Sequence, residues 1–471
     1  MNKCLISFIS LLMWAIFPML ISASHFSMDR YFSPHSSSSN FIALQDVAFN
    51  LQNKFEYSKG SLPNDFEGMD LLDYSFLYQY SALSDWRADG LPKMGLRVAE
   101  LGLIWQPLNL MAYVVQHEIF GHGYRVRSFG VDVAHVTRYV LSFKFDWNGL
   151  GIKDALTRVS YKRLASPSEF LSVDIGGIEA NLVFSHNMLM SWLKKGEIDG
   201  RQASLWRNAH FDGANYIRTL KRFNGYQTYM LSKEVGHDIA NYLTLLNQIY
   251  PASKSMDEQL QDLQTKSLLS LFFNPMTYIS YYSELAYILF HSSVPIPGIK
   301  IREMFALPSY HLALTPFGPE DVFEVYIWNK GKAPTYVYFK ALEHMNDLYF
   351  GLGFENRGLF NLKWGSIGLK VNLWVQPQML LEPMSNEEGY YILFEGRNQY
   401  DNFWITPDEK GLLASKYFSK TFGGSSSIVY SHLINKLSNV NLELGYKTQG
   451  YLPGESLVRS LIARCGLQVQ F

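Results

Sequence analysis

Apolar positions recur at helical spacing up to about residue 300 and at every second position after about 309, so the chain reads as a mainly helical part followed by a part built of strands. A motif-bearing helix is expected over 97–122, interrupted at Pro107. Within 136–165 the segment VTRYVLSFKFDW reads as a strand and a short helix should follow. Helical periodicity dominates 167–292, where Ser166 and Glu169 have the spacing of a capping box opening a helix that carries Glu179. Further helices are expected near 200–222, 233–250 and 274–291. Beyond 309, Leu348, Phe350, Leu352 and Phe354 alternate with Tyr349, Gly351, Gly353 and Glu355. Val440, Leu442, Leu444 and Tyr446 likewise alternate with Asn441, Glu443, Gly445 and Lys447, and the pattern runs on to Phe471. About eight to ten such segments are enough for a small closed antiparallel barrel, although a soluble β-sandwich alternates in the same way.

The two ends bear on location. MNK followed by CLISFISLLMWAIFPMLI and SAS reads as a signal peptide over 1–24, so the chain is expected to be exported. Residues 25–96 then form a linker and N-terminal arm, 97–300 a helical domain and 305–471 the strands. Loss of the signal leaves Cys465 alone, which excludes an intrachain disulfide in the mature chain. With 41 Lys and Arg against 42 Asp and Glu there is no electrostatic case for nucleic acid, and no phosphate-cradling glycine loop follows a strand, so no nucleotide is expected either. None of the helical segments after 167 shows the roughly 20 uncharged apolar residues of a comfortable membrane span, since 170–193 contains Asp174 and Glu179 and 272–292 contains Glu284. The alternating final strand ending in Phe471, together with 30 Tyr, resembles bacterial outer-membrane β-barrels, whose last strand ends in an aromatic residue. That resemblance implies an outer-membrane seat with the helical domain in the periplasm; a soluble periplasmic protein is the alternative.

The chemistry concentrates in QHEIFGHGYRVRSFGV, residues 116–131. A helical zinc site spaces its histidines four apart, with an intervening Glu as base, whereas His117 and His122 are five apart around Glu118. Five residues rotate about 500°, roughly 140° past a full turn, so a regular α-helix cannot converge the two imidazoles. A π-bulge would absorb the extra residue, and Gly121 and Gly123 make the backbone permissive there. A catalytic zinc also needs a third protein ligand and an open position for water. Glu179 and Asp212 compete for that role. Glu179 lies in apolar VDIGGIEANLVFS, where an unpaired carboxylate is costly to bury, and the other reading of Asp212 is a helix N-cap. Asp174 is a further carboxylate placed to orient a ligand histidine. Glu118 is the expected general base and peptide hydrolysis the natural reaction. Arg125 and Arg127 are candidates to stabilise an oxyanion or a substrate carboxylate, with surface ion pairing the other fate for at least one. His186 and His237 repeat no ligand spacing and read as ordinary histidines. A His, His, carboxylate set suits Zn2+ best, although iron(II) uses the same donors.

Two family resemblances follow from these residues. HEIFGH resembles the HExxGH motif of the dipeptidyl peptidase III family of zinc exopeptidases, in which the extra residue is normal. That family's second motif, an acidic pair followed by Arg, has no counterpart here, since Glu387-Glu388 lies in a loop-like stretch. A longer similarity is to site-2 proteases with one residue inserted: His117-Glu118, Gly121-His122, Arg125, Arg127 and Phe129-Gly130-Val131, then GGIEAN at 176–181 and FDGANYIRTL at 211–220. It covers about 115–220 and implies that Asp212 binds zinc. The expectation is therefore an α+β protein with a zincin-like helical domain and an antiparallel β-barrel, acting as a zinc metallopeptidase of the bacterial envelope on a peptide or protein substrate. The alternative is an outer-membrane barrel, structural or for transport, with a non-catalytic metal site.

Overall fold

The computed structural model describes residues 91–129, 134–146, 149–161, 166–220, 237–250, 254–381, 391–392, 403–404, 419–435 and 438–469. The expected signal peptide, nearly all of the linker and arm, Glu387-Glu388 and the terminal Phe471 lie outside them. Helix α1 runs unbroken from Leu91 to Ser128. Its α-helical stretches Leu91–Glu100, Gln106–Val115 and Gly123–Ser128 are joined by π-helical Leu101–Trp105 and Gln116–His122. The expected interruption at Pro107 does not occur. A proline ring needs room at the carbonyl four residues back, and the wider π segment immediately before it supplies that room.

A hairpin follows, β1 (Ala134–Asp146) with β2 (Gly149–Tyr161). The short helix expected after VTRYVLSFKFDW is instead β2, because pairing along β1 satisfies its backbone groups and overrides local preference. The Ser166 capping box is present, with Ser166 N–H donating to Glu169 Oε2 at 2.6 Å, but it opens the short helix α2 (Pro167–Asp174). The chain breaks at Ile175 and restarts as α3 (Gly176–Lys195), so Glu179 sits on a separate helix. Then come β3 (Glu197–Ile198), α4 (Gly200–His210), α5 (Asp212–Thr219), α6 (Asp238–Ile249), α7 (Met256–Phe273) and α8 (Pro275–Phe290), with β4 (Val294–Pro295) pairing β3.

The strands after these helices are β5 (Ile299–Ile301), β6 (Met304–Thr315), β7 (Gly318–Trp328), β8 (Thr335–His344), β9 (Asp347–Leu362) and β10 (Gly365–Pro377). A two-residue pair, β11 (Tyr391–Ile392) and β12 (Phe403–Trp404), precedes β13 (Lys420–Asn435), β14 (Ser438–Lys447) and β15 (Ser460–Val469). Nine of these strands form one antiparallel sheet in the order β15-β14-β13-β10-β9-β8-β7-β6-β5. Met345 and Asn346 both adopt positive φ in the two-residue β8–β9 loop, the turn whose twist matches that of paired strands. The chain is therefore α+β as expected. Among the described residues no closed barrel is detected, since the pairings end at β5 and β15.

The main core lies where α2, α5 and α6 meet one end of this sheet, with Ile175, Ile217, Ile239, Tyr242, Leu314, Phe317 and Tyr451 buried together. Helix α3, about 30 Å long, runs along the inner face of the sheet. It starts beside His117 and ends where its Lys194 carbonyl accepts the Gly331 N–H at 2.9 Å. Between α3 and the strands lies a cavity of about 1130 Å³, lined among others by His186, Glu324, Tyr336, Lys370 and Arg464.

Candidate metal centre

The π segment Gln116–His122 brings the two histidines together. Its hydrogen bonds run to the fifth residue back, as from the Gly123 N–H to the Glu118 carbonyl, so side chains five apart stack one above the other. His117 Nε2 and His122 Nε2 accordingly lie 3.1 Å apart. Helix α3 crosses this segment at backbone contact. A Cβ on Gly121 would collide with the backbone of Gly176 and Gly177, and one on Gly177 would overlap the His117 ring, which gives GGIEAN its physical meaning.

Each imidazole is held by its other nitrogen. His117 Nδ1 donates to Asp212 Oδ2 at 2.7 Å and His122 Nδ1 to the Val173 carbonyl at 2.6 Å. Both partners can only accept, so each neutral ring presents its Nε2 as a bare lone pair. Asp238, the first residue of α6, enters the same space, with Oδ2 2.9 Å from His117 Nε2 and 3.4 Å from His122 Nε2. The triangle has edges of 2.9, 3.1 and 3.4 Å. Ligands of a tetrahedral ion at about 2.0–2.1 Å are about 3.3 Å apart. The donor set thus fits a divalent ion, and its three lone pairs repel one another unless a cation lies between them. Protons compete for the same lone pairs: burial lowers both rings, but the Asp212 and Asp238 carboxylates raise the His117 and His122 imidazoles above their ordinary value, and the imidazolium charge holds the Asp238 carboxyl below the usual carboxylate range although burial raises it.

Glu118 faces the same point. The ligand atoms of His117, Glu118 and His122 all lie within 4.8 Å of one another and the three side chains are buried, so this group can hold a metal ion. Glu118 Oε2 accepts from Thr157 Oγ1 of β2 at 2.7 Å, which fixes the carboxylate and leaves its other oxygen free of that bond. Tyr216 stacks flat on His117 at 5.3 Å and closes one side of the site.

Both carboxylates expected as third ligand are committed elsewhere. Asp212 Oδ2 accepts from Asn181 Nδ2 at 2.8 Å as well as from His117, and Oδ1 from the Tyr113 hydroxyl at 2.6 Å. Asp212 therefore orients His117 from its Nδ1 side rather than facing the triangle of Asp238 and the two Nε2 atoms. Nor does it cap α5, whose N-cap position is Phe211 with no side-chain bond. Glu179 turns the other way, into a buried pair with Arg125, whose Nε reaches Glu179 Oε2 at 2.7 Å. The Gly454 N–H donates to Glu179 Oε1 at 2.8 Å and Arg125 Nη1 to the Glu455 carbonyl at 2.7 Å. This pair ties α1 and α3 to the loop after β14, so Arg125 is neither at the surface nor turned toward an oxyanion. Arg127 donates to the Ile119 carbonyl at 2.8 Å and to the Tyr139 hydroxyl.

Asp174 does not orient His122, a task taken by the Val173 backbone carbonyl. Burial and the neighbouring Asp238 charge raise its carboxyl well above the usual range, with His122 opposing. His186 meets Tyr326 and Glu355, and His237, next to Asp238 in the chain, lies edge-on to the Tyr216 ring that stacks on His117. Asp238 is the residue sequence reasoning missed. Its signal was the single charge of the otherwise uncharged DIANYLTLLNQI, an argument close to the one that singled out Glu179. Compared with known protein families, with curated proteins and with solved structures, the chain matches none of them.

Proposed function

We propose that this chain is a zinc-dependent hydrolase of peptide bonds, with His117, His122 and Asp238 as metal ligands and Glu118 as general base. The observation that carries the reading is the convergence of two buried imidazole nitrogens and the half-buried Asp238 carboxylate beside Glu118. Three protein ligands and a free position are the pattern of a catalytic site, whereas structural zinc sites are closed by four. When bound, zinc supplies a Lewis acid that activates water and polarises a carbonyl. Glu118 accepts the proton of the attacking water and returns it to the departing amine. Thr157 and the α1–α3 crossing hold Glu118 and His117 in place while this happens. Elemental analysis tests the reading: about one zinc per chain, lost in His117→Ala and kept in Glu118→Gln, supports it. Metal bound with no hydrolysis of any peptide leaves the second expectation, an outer-membrane protein with a non-catalytic metal site; absence of metal from the unaltered protein sinks both and leaves a sheet with a helical appendage.

We also propose that the nine-stranded sheet is seated in an outer membrane. Its polarity is inverted relative to a soluble sheet. The inward face carries Glu324 (4 % exposed), Lys340 (3 %) and Lys447 (0 %), while Leu352 (52 %), Leu444 (64 %) and Phe422 (79 %) stand outside. Ion pairs such as Lys340 with Glu320 and Lys370 with Glu443 satisfy the inner face. Charges facing inward and hydrocarbon facing outward suit lipid and are costly in water, which favours this reading over a soluble periplasmic protein. Membrane fractionation with heat-dependent gel migration tests it; a freely soluble protein would overturn it.

A further inference from the structure

Among the described residues the pairing order ends in the three-residue β5, which leaves most of the far edge of β6 without a strand partner there. An open edge cannot face hydrocarbon, because its unpaired N–H and C=O groups would each cost several kcal/mol there. Helix α7 lies against β6 and β7. Phe273 packs on Tyr310 with Leu269 and Phe323 around them, and Lys266 Nζ donates to Asp321 Oδ2 at 2.7 Å.

The outward faces of α7 and α8 have an unusual composition. The first half of α7 exposes Asp257, Glu258, Gln261 and Asp262, as a helix in water should. From Leu268 and Phe272 the exposed face becomes apolar, and α8 continues it with Tyr281, Leu285, Leu289 and Phe290. The two helices are joined by the Tyr278 hydroxyl donating to the Phe272 carbonyl at 3.2 Å. Arg97 Nη1 donates to the Ile288 carbonyl at 2.8 Å and so brings α1 alongside, with Leu103 and Ile104 exposed. By length and composition the stretch Pro92–Ser128 can cross a membrane, with only 33 % of its most apolar window buried inside the protein.

Resting on the membrane seat proposed above, we infer that the bilayer is met by a mixed surface, in which the outward faces of α7, α8 and the first half of α1 extend the lipid-facing side of the sheet beyond β6. The partner is bilayer hydrocarbon. Two features select it over a second protein: the apolar exposed residues belong to helices that pack, through Phe273 and Lys266, on the side of β6 and β7 opposite inward-facing Glu320 and Glu324, and α7 changes from acidic to apolar along its own length, as an element crossing from water into lipid does. Helices can occupy this position because their backbone hydrogen bonds are internal. Sixteen residues of α8 span about 24 Å, close to the hydrocarbon thickness that a barrel wall presents. The helical part therefore sits at the depth of the sheet and does not hang free in the periplasm.

The test places a fluorescent label on single cysteines in a Cys4→Ser, Cys465→Ser background of the full chain, reconstituted in phosphatidylcholine vesicles with and without acyl-chain-brominated lipid. The positions are Leu352→Cys on the sheet, Phe272→Cys and Leu285→Cys on the helices, and Asp262→Cys on the polar end of α7. All four are exposed, and zinc content checks that each variant keeps its fold. The expected result is strong quenching at Leu352, Phe272 and Leu285 alike and none at Asp262. Quenching at Leu352 without quenching at Phe272 and Leu285 overturns the mixed surface and leaves the sheet alone in lipid. Loss of quenching at Leu352 as well overturns the membrane seat itself and this inference with it.

Discussion

Replacing Asp238 and Asp212 separately by alanine distinguishes a ligand from a residue that orients a ligand. The two carboxylates both touch His117, one at Nε2 and one at Nδ1, so the chain's composition near the site is equally changed by either substitution. A zinc site of four ligands binds its ion by about 10–16 kcal/mol, or about 2.5–4 kcal/mol per ligand. Loss of Asp238 should therefore weaken zinc binding by roughly 10²–10³-fold at 1.4 kcal/mol per decade. Partners acting through the distal nitrogen of a ligand histidine are worth about 10–100-fold, so Asp212→Ala should weaken binding by that smaller factor. Stability should order the two the other way. Asp212→Ala strands the buried Tyr113 hydroxyl and Asn181 amide, at about 1–3 kcal/mol for each donor left unpaired. Zinc affinity can be read by competition with a chromophoric chelator at constant pH, and stability by thermal unfolding of the metal-free protein. Zinc binding that survives Asp238→Ala, or that suffers more from Asp212→Ala, would refute the assignment of Asp238 and return Asp212 to the ion.

Glu118→Gln should keep zinc and lose hydrolysis of a mixed peptide substrate by about 10²–10⁴-fold, the usual worth of a general base; an undiminished rate would remove Glu118 from the reaction. Gly177→Ala places a methyl against the His117 ring and should lower both zinc content and melting temperature, with overpacking costing about 1–3 kcal/mol; normal values for both would mean that the helix crossing is looser than described. Glu179→Gln leaves the Arg125 charge buried and should cost about 3–5 kcal/mol in denaturant unfolding, much of it recovered in Arg125→Met with Glu179→Leu; a mild single-variant effect would count against a buried pair. The Asp174 carboxyl is raised in the fold, so its ionised form is disfavoured: the cost is absent below the ordinary carboxylate value of about 3.9 and grows as pH rises toward the raised value. Asp174→Asn should accordingly raise the melting temperature of the metal-free protein at pH 7, with the gain vanishing near pH 4, and an equal gain at both would exclude this origin.

Much of the site was legible because its first element is local. The five-residue spacing of His117 and His122 demanded a π segment, and the chain has one at Gln116–His122. Strand alternation was equally legible, since Leu348, Phe350 and Leu352 do share one face of β9. What could not be read was which way the faces point, because alternation is unchanged when inside and outside are exchanged. The proposed third ligand, Asp238, was hidden for a different reason. Asp212, Glu179 and Asp238 all look alike in sequence as acids near apolar stretches, and only the crossing of α1, α3 and α6 decides that the first meets Nδ1, the second meets Arg125 and the third meets both Nε2 atoms. β2 was lost to a short helix because its partner strand, not its own residues, determines it.

The π segment also bears on how the longer spacing could be undone. Deleting one residue between His117 and His122 would restore the common four-residue spacing in a single genetic step. Because a π turn absorbs one residue locally, that deletion would turn the segment into α-helix and leave the rest of α1 close to its present phase. Arg125 would keep its reach to Glu179 and the Glu455 carbonyl, which it joins across three elements. The shorter motif is therefore one step away from this chain, with the buried pair that anchors the far end of α1 left in place.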